Sequence, residues 1–147
     1  MLILDDFART NKEISMDLNL KRACEVIDDG ARIYNAILNF ASVSCGLNDH
    51  HVKFIVGFTD MDGDVGSIFG DIDFGEMLAY FISLFTDVMC NGLLDDDQNE
   101  IYLEDMERMP VRVAYKENRP FAIGHFLDDK FIIEDDVKAW IEKGGSK

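Results

Sequence analysis

The sequence predicts a single α+β domain in which antiparallel hairpins pack against helices. Three observations carry that expectation. Val52, Phe54, Val56 and Phe58 alternate with Lys53, Gly57 and Thr59 and run into Asp62-Gly63, a turn pair between two apolar segments. From Phe74, the positions Met77, Leu78, Phe81, Ile82, Phe85, Val88 and Met89 keep the i, i+3, i+4 spacing of an amphipathic helix. Across 147 residues, 48% of them hydrophobic, no Pro-, Gly- or Ser-rich linker and no internal repeat divides the chain, and this length suits one core.

Taken in order, residues 1–15 mix Leu2, Ile3 and Leu4 with polar residues without a period and are expected to form an arm, leaving 16–147 as the domain. A helix is expected over 17–29, with Leu20, Cys24 and Ile27 on its apolar face, Asp17 as cap and Gly30 as stop. The β-branched and aromatic residues of 33–45 suggest a strand, although Ala36 to Phe40 would also suit a helical turn. Strand 52–59 follows, and its return strand, 65–72, is weakened by Gly66 and Gly70. Helix 74–91 has Asp73 as N-cap, Glu76 three residues on as a capping box, and Gly92 as stop. Helical turns over 102–108 end at Pro110. Strands 111–116 and 121–127 flank the polar turn KENR, and 131–133 adds a third strand. The last helix, 134–143, has Glu134, Asp135 and Asp136 in its first turn, Val137, Trp140 and Ile141 on its buried face, and Lys143 at its end.

Charge narrows the function classes. The chain has 14 basic and 29 acidic residues, a net charge of −15. Between Phe54 and Glu107 there is no Lys or Arg, so 14 of the acids lie together and almost the whole net charge falls on that stretch. Such a balance works against direct binding of nucleic acid, which needs clustered cations. No run reaches the roughly 18 apolar residues of a membrane span, and neither a membrane protein nor a secreted precursor is expected. Cys24, Cys45 and Cys90 lack metal or redox spacing and sit among apolar or small residues, which suits inert, reduced thiols.

The chemical motifs are sparse. Asp60, Asp62 and Asp64 around Gly63 begin like a calcium-binding EF-hand loop, but Val65 stands where that loop needs Gly, and Asp71 where it needs a bidentate Glu. They are weak metal candidates; an ordinary hairpin tip is the favoured reading. His50, His51 and His125 have no ligand spacing, and no nucleophile elbow, P-loop or dinucleotide-binding fingerprint is present. No catalytic residue and no cofactor is expected. Carboxylates can instead stand where a nucleic acid presents phosphates. Alternate residues on a strand lie about 6.6 Å apart, so Asp60, Asp62, Asp64, Asp71 and Asp73 are expected to form a negative row, extended by Asp95, Asp96, Asp97 and Glu100. A basic channel shaped for nucleic acid would meet that row with its cations already arranged.

The order of motifs adds a resemblance. Asn48-Asp49-His50, a strand, the turn Asp62-Gly63-Asp64, Phe69-Gly70, a helix, then YLEDMERMPVRVAY and AIGHFLDDKFI resemble a group of small accessory proteins encoded by bacteriophages and prophages. Leu103, Glu104, Asp105, Pro110, Val111, Arg112, Val113, Ile123, Gly124, His125, Asp129 and Lys130 occupy the matching positions, whereas Met109, Asp128 and Phe131 depart from the Lys, Lys and Trp common there. The resemblance covers about residues 36–133. It implies an accessory product acting in the host bacterial cytoplasm, and in its most concrete form an anti-CRISPR inhibitor that binds a basic nucleic-acid-processing or defence protein. An alternative is an oligomeric sponge for a signalling nucleotide, for which Arg112, Lys116, Arg119 and Lys130 are the candidate ligands. A homo-oligomer would suit that alternative.

Overall fold

The longest strand, β1 (Arg32–Cys45), pairs with two neighbours along its length: its first residues, Arg32–Ile37, with β4 (Pro110–Lys116), and Ala36–Cys45 with β2 (Val52–Asp60). In the computed structural model, which describes residues 11–48, 50–90 and 103–143, β3 (Val65–Ile68), β5 (Arg119–His125) and β6 (Phe131–Ile133) complete a six-stranded antiparallel sheet. Its order is β3-β2-β1-β4-β5-β6. The register of β1 shifts between Leu38 and Phe40, and the Leu38 amide donates instead to the Met109 carbonyl at 2.9 Å.

Period-two alternation decides which face is dry. Phe54, Val56 and Phe58 on β2, Ala36 and Leu38 on β1, Val111 and Val113 on β4, and Ile123 on β5 form one face. They join a core with α1 (Asn11–Leu18), α3 (Leu78–Cys90) and α4 (Glu134–Glu142), through Ile14 and Leu18, Phe81, Leu84 and Phe85, and Val137 and Trp140. The rings are tightly grouped, with Phe74 and Phe81 4.9 Å apart and Phe69 and Phe81 5.1 Å apart. On the opposite face, α2 (Ala23–Asp28) covers the β4–β6 end and the start of β1, where Val26 packs with Ala31, Ala114, Ala122 and Phe131, and Ile33 lies against them. The sheet also curls until β3, at one edge, contacts β5.

Each predicted strand is found, with two changed bounds: β3 stops at Ile68 rather than residue 72 because Phe69 takes a left-handed backbone (φ 73°), and β5 runs 119–125 rather than 121–127 because the turn before it is tight and the Leu127 and Asp128 amides turn back to His125 Nδ1. The turn between β4 and β5 is a two-residue one, with Glu117 (φ 53°) and Asn118 (φ 64°) both left-handed, the geometry that matches strand twist.

The helices differ more. The helix expected over 17–29 is two: the chain leaves α1 at Asn19 (φ 54°), and Lys21 exchanges backbone hydrogen bonds with Phe131. That bridge holds the backbone extended, so Asp17 lies in the last turn of α1 and not at a helix start. The expected apolar stripe is not the buried one: Cys24 and Ile27 are exposed, and Val26 is buried. Gly30 (φ 92°) ends α2 as expected. Residues 11–15, expected in an arm, belong to α1, with Ile14 fully buried; residues 1–10 lie outside the described residues.

The helix expected over 74–91 opens as a 3₁₀ turn, Gly75–Met77, before α3. Phe74 takes the N-cap position without a side-chain bond of its own; Asp73, the expected cap, shares its Oδ1 between the Val52 amide at the start of β2 and the Gly75 amide of the first turn. The helical turns expected over 102–108 reduce to a 3₁₀ turn, Leu103–Met106, after which Arg108 (φ 68°) redirects the chain; Pro110 then opens β4. Tyr102 and Gly92 lie outside the described residues. Cys24 and Cys45, expected in apolar settings, are exposed and free.

Candidate interaction surface

The β2–β3 turn is organised by its first acid. Asp60, only 9% exposed, closes β2, and its Oδ1 accepts from the Asp62 and Asp64 amides at 2.9 and 3.0 Å. Its Oδ2 accepts the Tyr115 hydroxyl at 3.0 Å. Burial, reinforced by that hydrogen bond, holds the phenol well above its ordinary value. Asp60 is therefore an internal anchor and does not join a surface row. Asp62 and Asp64 are exposed at the tip around Gly63 (φ 84°).

Asp71 and Asp73 also leave the predicted row, because β3 has ended before them. Asp71 is exposed and faces Arg119 at 3.5 Å. Asp73 Oδ1 accepts from the Val52 amide at 3.0 Å and the Gly75 amide at 3.3 Å, while its Oδ2 lies 3.7 Å from His51. The Val52 hydrogen bond is the main reason that this carboxyl titrates below its usual range. The acids thus occupy a hairpin tip and a loop and do not alternate along one strand. Asp95, Asp96, Asp97 and Glu100 lie outside the described residues. Among the described residues, no three His, Cys, Asp or Glu side chains assemble a metal site.

The four candidate cations are divided. Arg112 donates from Nε to the His125 carbonyl (2.9 Å) and from Nη2 to the Asp128 carbonyl (2.8 Å), with its guanidinium 4.9 Å from the Phe131 ring centre. It braces the loop between β5 and β6. His125 braces the same loop, its Nδ1 accepting from the Leu127 and Asp128 amides at 3.0 and 2.7 Å. Lys130 lies 3.5 Å from Asp128.

Lys116 and Arg119 line an open groove of about 680 Å³ between α2, the β4–β5 turn and the start of α4. Sequence reasoning missed this groove, because Lys21 and Asp29 reach it from the chain preceding β1, and Asp136 and Lys138 from the last helix. Lys116 is paired there with Asp29 at 2.7 Å and lies 5.3 Å from the Phe121 ring centre. Carboxylates outnumber cations on the walls, and burial pushes the Asp136 carboxyl above its ordinary range.

No helix among the described residues is long and apolar enough to cross a membrane. No family model, no curated protein and no solved structure matches the chain.

Proposed function

We propose that this is a non-catalytic inhibitor, encoded by a phage and acting in the host bacterial cytoplasm, that docks its acidic surface on a basic nucleic-acid-binding face of a host defence protein, as an anti-CRISPR would. One observation carries the reading. Asp62, Asp64, Asp71 and Asp73 are all exposed along a stretch that has no Lys or Arg of its own, and Arg119, which faces Asp71 at 3.5 Å, is itself surface-exposed. A pair of that kind gives little stability and is readily exchanged for a partner's cation. Segregated negative charge of this sort speeds encounter with a basic partner and makes the affinity depend on salt.

The test is a pull-down of the tagged chain from bacterial lysate at low salt, eluted by a salt gradient, with the eluate identified by mass spectrometry. One basic nucleic-acid-binding protein, recovered in stoichiometric amount and lost when Asp62, Asp64, Asp71 and Asp73 are changed together to Asn, is the expected result. Equal recovery by the quadruple variant would overturn the reading.

The groove favours a second reading, a sponge for a signalling nucleotide, because Lys116 and Arg119 meet Lys21 and Lys138 beside Phe121. Its excess of carboxylates opposes a phosphate ligand. Thermal stabilisation by a nucleotide, abolished by Arg119→Ala, would favour the sponge over the inhibitor.

A further inference from the structure

The loop between β5 and β6 carries an apolar tip, Leu127, 80% exposed to water, yet it is held by long-range bonds throughout. His125, the last residue of β5, turns its ring so that Nδ1 accepts the Leu127 and Asp128 amides at 3.0 and 2.7 Å. Arg112 holds the carbonyls of His125 and Asp128. Asp128 accepts the Asp129 amide and pairs with Lys130. Asp129 reaches out of the loop, its Oδ1 accepting the Ala23 amide, the first of α2.

We infer that His125 is a proton-sensitive latch: with the ring neutral the loop is closed and α2 is seated on it, and with the ring protonated both are released. The inference stands apart from the basic-partner reading. A ring nitrogen that accepts N–H bonds carries no proton, so the proton of the neutral imidazole is on Nε2. A second proton can go only to Nδ1, where it competes with the two amides for the same lone pair; imidazolium has two donors and no acceptor. Histidine is the side chain that ordinarily gains charge between about pH 8 and about pH 5.

The neighbours pull both ways. Of the elements packed on β5, β4 brings the Arg112 guanidinium, which opposes a charged ring, and α3 its one charged residue, Asp87. The loop itself brings Asp128, Asp129 and Lys130, and α2 its exposed Arg22–Glu25 pair. Strand β3 and helix α4 meet β5 at its opposite end, where Asp71 and Glu134 stand by Arg119 and Pro120. Through Asp129 the latch reaches the groove, one wall of which is Glu25, Val26, Asp28 and Asp29 at α2.

Amide exchange of the full chain, followed residue by residue by NMR and corrected for the intrinsic rate at each pH, tests this. Protection at Leu127 and Asp128 should fall at least about tenfold between about pH 8 and about pH 5, and protection at Ala23 should fall with it. Ring nitrogen-15 spectra should place the proton on Nε2 at the higher pH. His125→Asn cannot titrate in this range, and its protection should be the same at both pH values. His125→Ala should be as open at the higher pH as the parent is at the lower. A proton on Nδ1 at the higher pH, protection in the parent that ignores pH, or a pH dependence that survives in His125→Asn would overturn the inference. An Ala23 amide that stays protected while the loop opens would overturn its extension to α2.

Discussion

The Phe69 amide donates to Glu134 Oε2 at 2.9 Å, joining the end of β3 to the start of α4 across 65 residues of chain. Both partners are buried, and Phe69 holds a left-handed backbone that a bulky residue adopts only under constraint. The carboxylate therefore fixes a strained corner where the two ends of the curled sheet come together. Glu134→Ala would leave the Phe69 amide without its acceptor, and a loss of about 2 kcal/mol in urea unfolding is expected. Glu134→Gln keeps an acceptor and should lose less. Equal midpoints for parent and Ala variant would mean that water or relaxation replaces the bond at no cost.

Tyr115 and Asp60 make a second long-range tie, between β4 and the β2–β3 turn. Tyr115→Phe should cost about 1 kcal/mol. The phenol is raised in the folded state, so its contribution is complete below about pH 10, where an unfolded tyrosine begins to ionise. It is lost as pH rises from there toward the folded value. An alkaline absorbance titration of the folded protein should find a late-ionising phenol in the parent that is missing from Tyr115→Phe.

These two ties mark the boundary of what the sequence makes legible. Strand β2 was readable because its alternation and the Asp-Gly turn are local signals, and α3 because its apolar positions recur at helical spacing over several turns. Glu134 and Asp60 read as surface acids, one in a helix first turn and one on a charged hairpin, because their partners lie 65 and 55 residues away. The same blindness split the first predicted helix: nothing near Asn19 announces that Lys21 will pair with β6. Arg112 was a candidate ligand for the same reason, since the two carbonyls that it binds belong to a loop sequence cannot place.

Two glycines should respond differently to the same added methyl group. At Gly57 the atoms nearest to an added Cβ all belong to the Phe40 ring, whose half-exposed side chain can swing aside. At Gly124 it meets the Lys130 carbonyl oxygen at 2.6 Å and the buried Phe131 ring at 2.8 Å, so backbone must move. Gly124→Ala should therefore cost about 2–3 kcal/mol and Gly57→Ala about 1 kcal/mol or less. The reverse order in chemical denaturation would show that the β5–β6 pair is the softer of the two.

Asp73 should make stability depend on acid. Its carboxyl is lowered chiefly by the Val52 amide, so the stabilisation is present above the ordinary aspartate range and is lost as pH falls through the lower, folded value. Melting temperatures of parent and Asp73→Ala should differ by a constant amount from about pH 5 upward and converge as the pH falls through the lowered, folded value. A gap that persists at low pH would assign the effect to the lost turn and not to the charge.

Arg112 separates a bracing cation from a ligand-binding one. Its Nε and Nη2 are already spent on the His125 and Asp128 carbonyls, and its guanidinium lies against Phe131. Arg112→Ala removes two charge-assisted bonds and frees the loop that His125 also holds, so amides from Phe126 to Lys130 should exchange with solvent at least about tenfold faster, equivalent to about 1.4 kcal/mol of local stability. Arg112→Lys cannot donate to both carbonyls in the same fork and should recover only part of the protection. Arg119→Ala, which loses only an exposed pair with Asp71, should leave those amides unchanged. Full protection in Arg112→Ala would leave its charge available to a ligand and return it to the candidates for the sponge.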